Sequence, residues 1–110
     1  MMKYNEKVMG LLTICTKAGK AVYGFDAVKE SILEGKAKLI LLSCDVSPKT
    51  AKEVRFNAQK TGIAVLGTDI SIQEMGFKVG KRAAVTAVCD EGFAARFKAI
   101  IGEQAAQSDK

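Results

Sequence analysis

The chain has no histidine among its 110 residues. That removes the usual general base at neutral pH, the commonest zinc ligand and every Ser–His or Cys–His nucleophile pair. Aspartate, glutamate and lysine remain, but no carboxylates stand at a recognisable catalytic spacing, and a small enzyme is the least favoured reading. Cysteine is scarce and odd in number. Cys15, Cys44 and Cys89 are widely spaced, each inside an apolar pattern, and read as small buried hydrophobes, not as disulfides or metal ligands. Apolar stretches such as 39–42 are far too short to span a bilayer. The opening Met1-Met2-Lys3-Tyr4-Asn5-Glu6 carries no signal-peptide core or cleavage site. A cytoplasmic chain with no membrane partner and no cofactor is expected.

Basic residues are plentiful. Lysine and arginine number 17 against 12 acidic residues, giving a net charge of +5 and a pI near 9.2. Such a balance favours an anionic partner and says nothing of fold. Hydrophobic residues make up 48% of the chain, enough for the core of one domain, expected over residues 1–103. Residues 104–110 are small and polar and read as a frayed tail.

The densest basic segment is Gly76-Phe77-Lys78-Val79-Gly80-Lys81-Arg82, just ahead of the apolar run 83–89. Glycine lets backbone approach a phosphate closely, and Lys78, Lys81 and Arg82 supply charge. Lys17-Ala18-Gly19-Lys20 is a second basic cluster. Both also fit plain solvated loops. The segment 76–82 is not a nucleotide loop. It runs from helix to strand, whereas a phosphate-binding loop runs from strand to helix so that its amides converge at a helix N-terminus.

Periodicity predicts five helices and four strands in alternation. Val8, Leu11, Leu12 and Cys15 follow helical spacing after a capping Asn5, and Gly19 closes that helix. Residues 20–23 suit a short antiparallel edge strand. Gly24 opens a second helix, with Phe25, Val28 and Ile32 on one face. The run 37–44 reads as a strand covered on both faces. Ser47-Pro48 starts the third helix, with Ala51, Val54 and Ala58 inward and Lys49, Lys52 and Arg55 on a solvated face. Residues 63–66 form a third strand. Ser71 and Glu74 fit a capping box opening a short helix that ends near Gly76. The fourth strand is 83–89, and Asp90 caps a last helix with Phe93, Phe97, Ile100 and Ile101 inward. The order implies a layered α/β sandwich on a small mixed sheet.

Several positions are candidates for ligand contact. Gly24, Phe25 and Asp26 stand where backbone N–H groups at a helix start lack partners, with Lys29 one turn on. Phe25 fits either a base-stacking or a core role. Asp26 fits either acceptance from a base donor or a favourable charge at the helix start. Asp45, in the turn after the second strand, either accepts from a base, orients a lysine, or caps the turn.

Taken together, residues 35–48 (Gly35-Lys36-Ala37-Lys38-Leu39-Ile40-Leu41-Leu42-Ser43-Cys44-Asp45-Val46-Ser47-Pro48) resemble the hallmark of the kink-turn-binding ribosomal-protein superfamily of archaea and eukaryotes. Lys17-Ala18-Gly19-Lys20, Val79-Gly80-Lys81-Arg82 and Cys89-Asp90-Glu91-Gly92-Phe93 are similar to the pattern of its bacterial YlxQ-like branch. The resemblance spans about residues 5–100. It implies an α/β fold, a three-layer α/β/α sandwich with a small mixed four-stranded sheet. It further implies non-catalytic binding of structured RNA, ribosomal or another kinked non-coding RNA such as a kink-turn. The family's recognition surface corresponds to residues 24–29, 43–47 and 76–82. On this footing the candidate RNA contacts are Lys17, Lys20, Gly24, Phe25, Asp26, Lys29, Asp45, Gly76, Lys78, Gly80, Lys81 and Arg82. The alternative is a protein-interaction adaptor module on the same fold in a translation or transcription complex.

One departure stands out. Kink-turn binders carry Gly-x-Asn-Glu-x-x-Lys at the second helix, and the same register here reads Gly24-Phe25-Asp26-Ala27-Val28-Lys29-Glu30. The Asn, Glu and Lys positions hold Asp26, Ala27 and Glu30. RNA read through phosphate and 2′-OH contacts is therefore expected over kink-turn base reading.

Overall fold

A computed structural model describes the backbone of residues 4–108 and the side chains of residues 6–102. The elements run α1 (Tyr4–Lys17), β1 (Ala21–Tyr23), α2 (Phe25–Leu33), β2 (Leu39–Leu42), α3 (Pro48–Thr61), β3 (Ala64–Gly67), α4 (Ile72–Val79), β4 (Val85–Val88) and α5 (Glu91–Ser108). The sheet order is β1-β4-β2-β3. β4 pairs antiparallel with both β1 and β2, and β2 pairs parallel with β3.

The period-two alternation of strand side chains divides the core. Leu39, Leu41 and Val88 point to one face, where Val8, Leu11, Leu12 and Cys15 of α1, Met75 of α4 and Phe97 of α5 cover them. Ile40, Leu42, Val85 and Ala87 point to the other, beneath Val28 and Ile32 of α2 and Val54 and Ala58 of α3. Helices α1, α4 and α5 thus form one layer, the sheet the second, and α2 with α3 the third. Every residue of β2 and β4 is buried, which explains why their sequences are apolar runs without alternation.

Local signals act as expected at most boundaries. Thr50 N donates to Ser47 Oγ at 3.2 Å, with Pro48 in the first turn of α3. Ser71 and Glu74 form the reciprocal capping box, and Phe93 N donates to Asp90 Oδ2 at 2.9 Å. Tyr23 and Thr16 share a hydroxyl–hydroxyl hydrogen bond that ties the edge strand to α1.

Four expectations need correction. The first helix begins at Tyr4, ahead of Asn5, and the capping expected of the Asn5 side chain lies outside the described residues. Helix α4 does not stop near Gly76 but continues to Val79, with Gly80 in left-handed backbone at its end. A glycine inside a helix weakens it by only about 1 kcal/mol, and the capping box together with buried Met75 outweighs that. Cys44 is exposed, not buried. It stands two residues past the end of β2, where the chain turns outward; Cys15 is buried and Cys89 half-buried. Finally, the backbone of α5 is helical to Ser108, so the helix takes in most of the segment read as a frayed tail; residues 109 and 110 lie outside the described residues.

Candidate nucleic-acid interface

Three segments meet at one end of the sheet, where β1 and β2 finish and β4 begins. Gly24 N donates to Val85 O at 3.0 Å, which fixes the start of α2 to the first residue of β4. Ser43 N donates to Ala84 O at 2.9 Å, fixing the exit of β2 one residue earlier on the same segment. Asp45 Oδ1 accepts from Ile72 N at 3.1 Å, and Cys44 N donates to Ile70 O at 2.9 Å, so the turn after β2 also holds the start of α4. The chain returns from α4 through Gly80, Lys81 and Arg82 into β4.

Gly24 has φ 96° and ψ 149°, a backbone state reserved for glycine, and no side chain caps α2. The first turn of α2 therefore presents backbone N–H groups and the positive end of its dipole outward. Asp26 is exposed and partly offsets that field; Lys29 and Glu30 are exposed one turn on. Asp45 is exposed as well. Desolvation is the largest influence on its carboxyl and raises its pKa, but the hydrogen bond from Ile72 N–H and the smaller lowering effects of Ser43 and of its own backbone together exceed it and hold the pKa below the usual value. The Ser43 hydroxyl adds to that lowering only from outside hydrogen-bond geometry, since it is buried without a partner among the described residues. Asp45 thus has a structural role as a cap on α4 while one face of its carboxylate stays open to solvent.

Lys78, Lys81 and Arg82 are exposed on the last turn of α4 and the loop after it. Gly76 does not open a path for a ligand. A Cβ there would lie 2.4 Å from Arg82 Cγ, so the bare backbone of α4 is the groove in which the Arg82 stem lies. The glycine positions a cation rather than a phosphate. Phe25 is half-buried against Val28, Ile32 and the rest of the second core cluster, and its ring belongs to the packing under α2.

Sequence reasoning missed Phe77. It is the most exposed large hydrophobic residue described, at 88%, and stands beside Lys78 on the outer face of α4. The signal was present: Met75 and Val79 at helical spacing face the core, which turns Phe77 to the opposite side. Ending the helix at Gly76 hid it. An exposed ring next to cations is a stacking platform for an unpaired base.

Lys17 and Lys20 are not part of this site. Cys89 N donates to Lys20 O, and Lys38 N to Val88 O, both at 2.8 Å, which places Lys20 and Lys38 at the far end of β4. The four residues of β4 separate the two ends by about 13 Å at strand rise. Burial pushes the Cys89 thiol up, and Lys36, Lys38 and Lys20 together pull it back, so these lysines form a second, smaller basic patch. No group of ligating side chains suited to a metal ion occurs among the described residues. No described helix is long and apolar enough to cross a membrane.

Comparison with known proteins identifies the family and the fold. Residues 6–97 match the ribosomal protein L7Ae/L30e/S12e/Gadd45 family. The RNA-binding protein YlxQ of Bacillus subtilis is 35% identical over 92 residues, covering 83% of this chain and 91% of its own. The large ribosomal subunit protein eL30 of Neurospora crassa is 34% identical, with 79% and 82% covered. A solved protein of unknown function from Bacillus halodurans superimposes with a TM-score of 0.80 at 26% identity, covering 86% of this chain and 95% of that one. The Giardia lamblia 15.5 kD RNA-binding protein shares the fold, with a TM-score of 0.75 at 14% identity.

Proposed function

The chain belongs to the ribosomal protein L7Ae/L30e/S12e/Gadd45 family, and from that premise we propose that it binds structured RNA, without catalysing a reaction, at the end of the sheet where α2 starts and β4 begins. The observation that carries this reading is the junction at Ala84 and Val85. There the start of α2 and the exit of β2 are held by backbone hydrogen bonds to adjacent residues, into which the basic loop ahead of β4 leads. Backbone hydrogen bonds within a sheet fix the spacing between an anion-seeking helix start, a carboxylate and three cations better than loops alone do.

Each group has a distinct task. Lys78, Lys81 and Arg82 neutralise phosphates. The amides at the start of α2 donate to a phosphate or 2′-OH oxygen at close range, since Gly24 adds no side chain. Asp26 and the free face of Asp45 accept from base amino groups, and Phe77 stacks an unpaired base. Similarity to proteins named RNA-binding protein YlxQ and ribosomal protein eL30 supports an RNA partner, ribosomal or another kinked non-coding RNA.

Specificity rests on α2. Asp26, Ala27 and Glu30 stand where kink-turn binders carry Asn, Glu and Lys, so the natural chain binds a standard kink-turn weakly and prefers another kinked shape. The change Asp26→Asn, Ala27→Glu and Glu30→Lys together strengthens kink-turn binding, each restored interaction contributing on the order of 1–3 kcal/mol. Gel-shift titration of both proteins with a kink-turn and with a fully paired duplex is the test. Tight, kink-turn-selective binding by the unaltered chain overturns the specificity reading, and failure of both proteins to bind any structured RNA overturns the function.

A further inference from the structure

The third layer of the sandwich carries a surface that, apart from Lys29 at its edge, lies outside the RNA site proposed above. Helices α2 and α3 leave the sheet from the same end and run side by side, and an open groove of about 1020 Å³ lies along them. Its apolar part is made by Leu33 and Phe56, 72% and 60% exposed, with half-buried Ala51 between the ridges. Single exposed hydrophobic residues are ordinary; here two large ones line the same groove. Around them stand four cations, Lys29, Lys52, Arg55 and Lys60, against one anion, Glu53. No described segment of the chain covers this face; α5 and α1 lie on the opposite side of the sheet.

We propose that this groove is a docking surface for an acidic amphipathic helix of a partner protein, held by apolar anchors on Leu33 and Phe56 and by carboxylates on the basic rim. The fourteen residues of α3 extend about 21 Å at 1.5 Å per residue, so three to four turns of a partner helix match the groove. Helix-in-groove recognition needs a partner with apolar residues at i, i+4 and i+7, and the rim adds the charge sign. A second copy of this chain is disfavoured, because its own groove would bring four more cations to the same interface. RNA fits less well. The Lys60 ammonium sits 4.6 Å from the centroid of the Phe56 ring, so one ring face is already taken by a cation, and Leu33 offers no stacking surface. The groove is on the α2–α3 face and the RNA site at the sheet end, so both partners bind one molecule together.

The test uses a synthetic peptide of about sixteen residues with leucine at i, i+4, i+7 and i+11, glutamate at the positions flanking them and alanine elsewhere to favour the helix. It is titrated into isotope-labelled full-length protein and followed by backbone amide NMR. Chemical-shift changes are expected on residues 29–33 and 48–60, and not at 76–82. Leu33→Ser with Phe56→Ser weakens binding at least about tenfold. Both side chains are exposed, so the spectrum of the variant stays that of a folded protein. Reversing the rim with Lys52→Glu and Arg55→Glu weakens it too and gives preference to a peptide carrying lysine for glutamate. The proposal is overturned by equal binding of acidic and lysine peptides, by shifts confined elsewhere, or by no binding. It is likewise overturned if residues 33 and 56 broaden with protein concentration alone, which identifies a second copy, or if a single-stranded RNA oligomer shifts this face.

Discussion

Replacing Gly24 with alanine isolates the backbone geometry on which the candidate site depends. At φ 96° and ψ 149° an L-residue is strained, and no atom lies within 4 Å of the position its Cβ would take. No clash contributes, so the cost is conformational, about 1–3 kcal/mol for such a region. With a urea m-value of roughly 2 kcal/mol/M for a small domain, the unfolding midpoint falls by about 0.5–1.5 M at unchanged m. The assay is urea unfolding followed by circular dichroism. The strain is local to the junction with Val85, so RNA affinity falls more than a stability loss of this size explains. An unaltered midpoint with unaltered RNA binding refutes the claim that this glycine holds the start of α2 in place.

Gly76→Ala behaves differently. Its helical backbone accepts alanine and gains up to about 1 kcal/mol in helix propensity, while the new Cβ, 2.4 Å from Arg82 Cγ, drives that side chain off α4; thermal unfolding should show equal or greater stability, and RNA titration a weaker complex. Thiol accessibility follows from burial: exposed Cys44 reacts with a thiol reagent in the native protein, whereas Cys15, its pKa pushed up to about 11 by burial and by Asp90 and Cys89, reacts only after unfolding. Mass spectrometry of the modified peptides reads this directly, and rapid native labelling of Cys15 contradicts the placement of α1 on the sheet.

Much of the fold is legible in the sequence because its signals are local. Ser47-Pro48, the Ser71–Glu74 box and Asp90 each satisfy a backbone donor within three residues, and the buried strands announce themselves as apolar runs. The sandwich layers follow from the alternation of helices and strands. The site is legible only in part. Gly24, the exit of β2 and the residues leading into β4 lie at one end of the sheet, but which ends of strands meet is a property of pairing register, invisible to a local pattern. For that reason Lys17 and Lys20, close in sequence to Gly24, fall at the other end of β4. Gly76 resembles a place for a ligand to approach only while its helix is cut short, because its neighbour in space, Arg82, is six residues away. Phe77 and Phe25 escape a local reading for a related reason: which ring is core depends on the layer packed over it.

The most direct measurement is the salt dependence of RNA binding for two variants. Lys78→Ala, Lys81→Ala and Arg82→Ala together should reduce the slope of log K against log salt by up to about 2–3, at roughly 0.7–0.9 for each phosphate no longer neutralised. Lys17→Ala with Lys20→Ala, at the opposite end of the sheet, should leave the slope as it is. A slope unmoved by the triple variant and lowered by the double one would contradict the placement of the RNA at the end of the sheet where α2 starts and β4 begins.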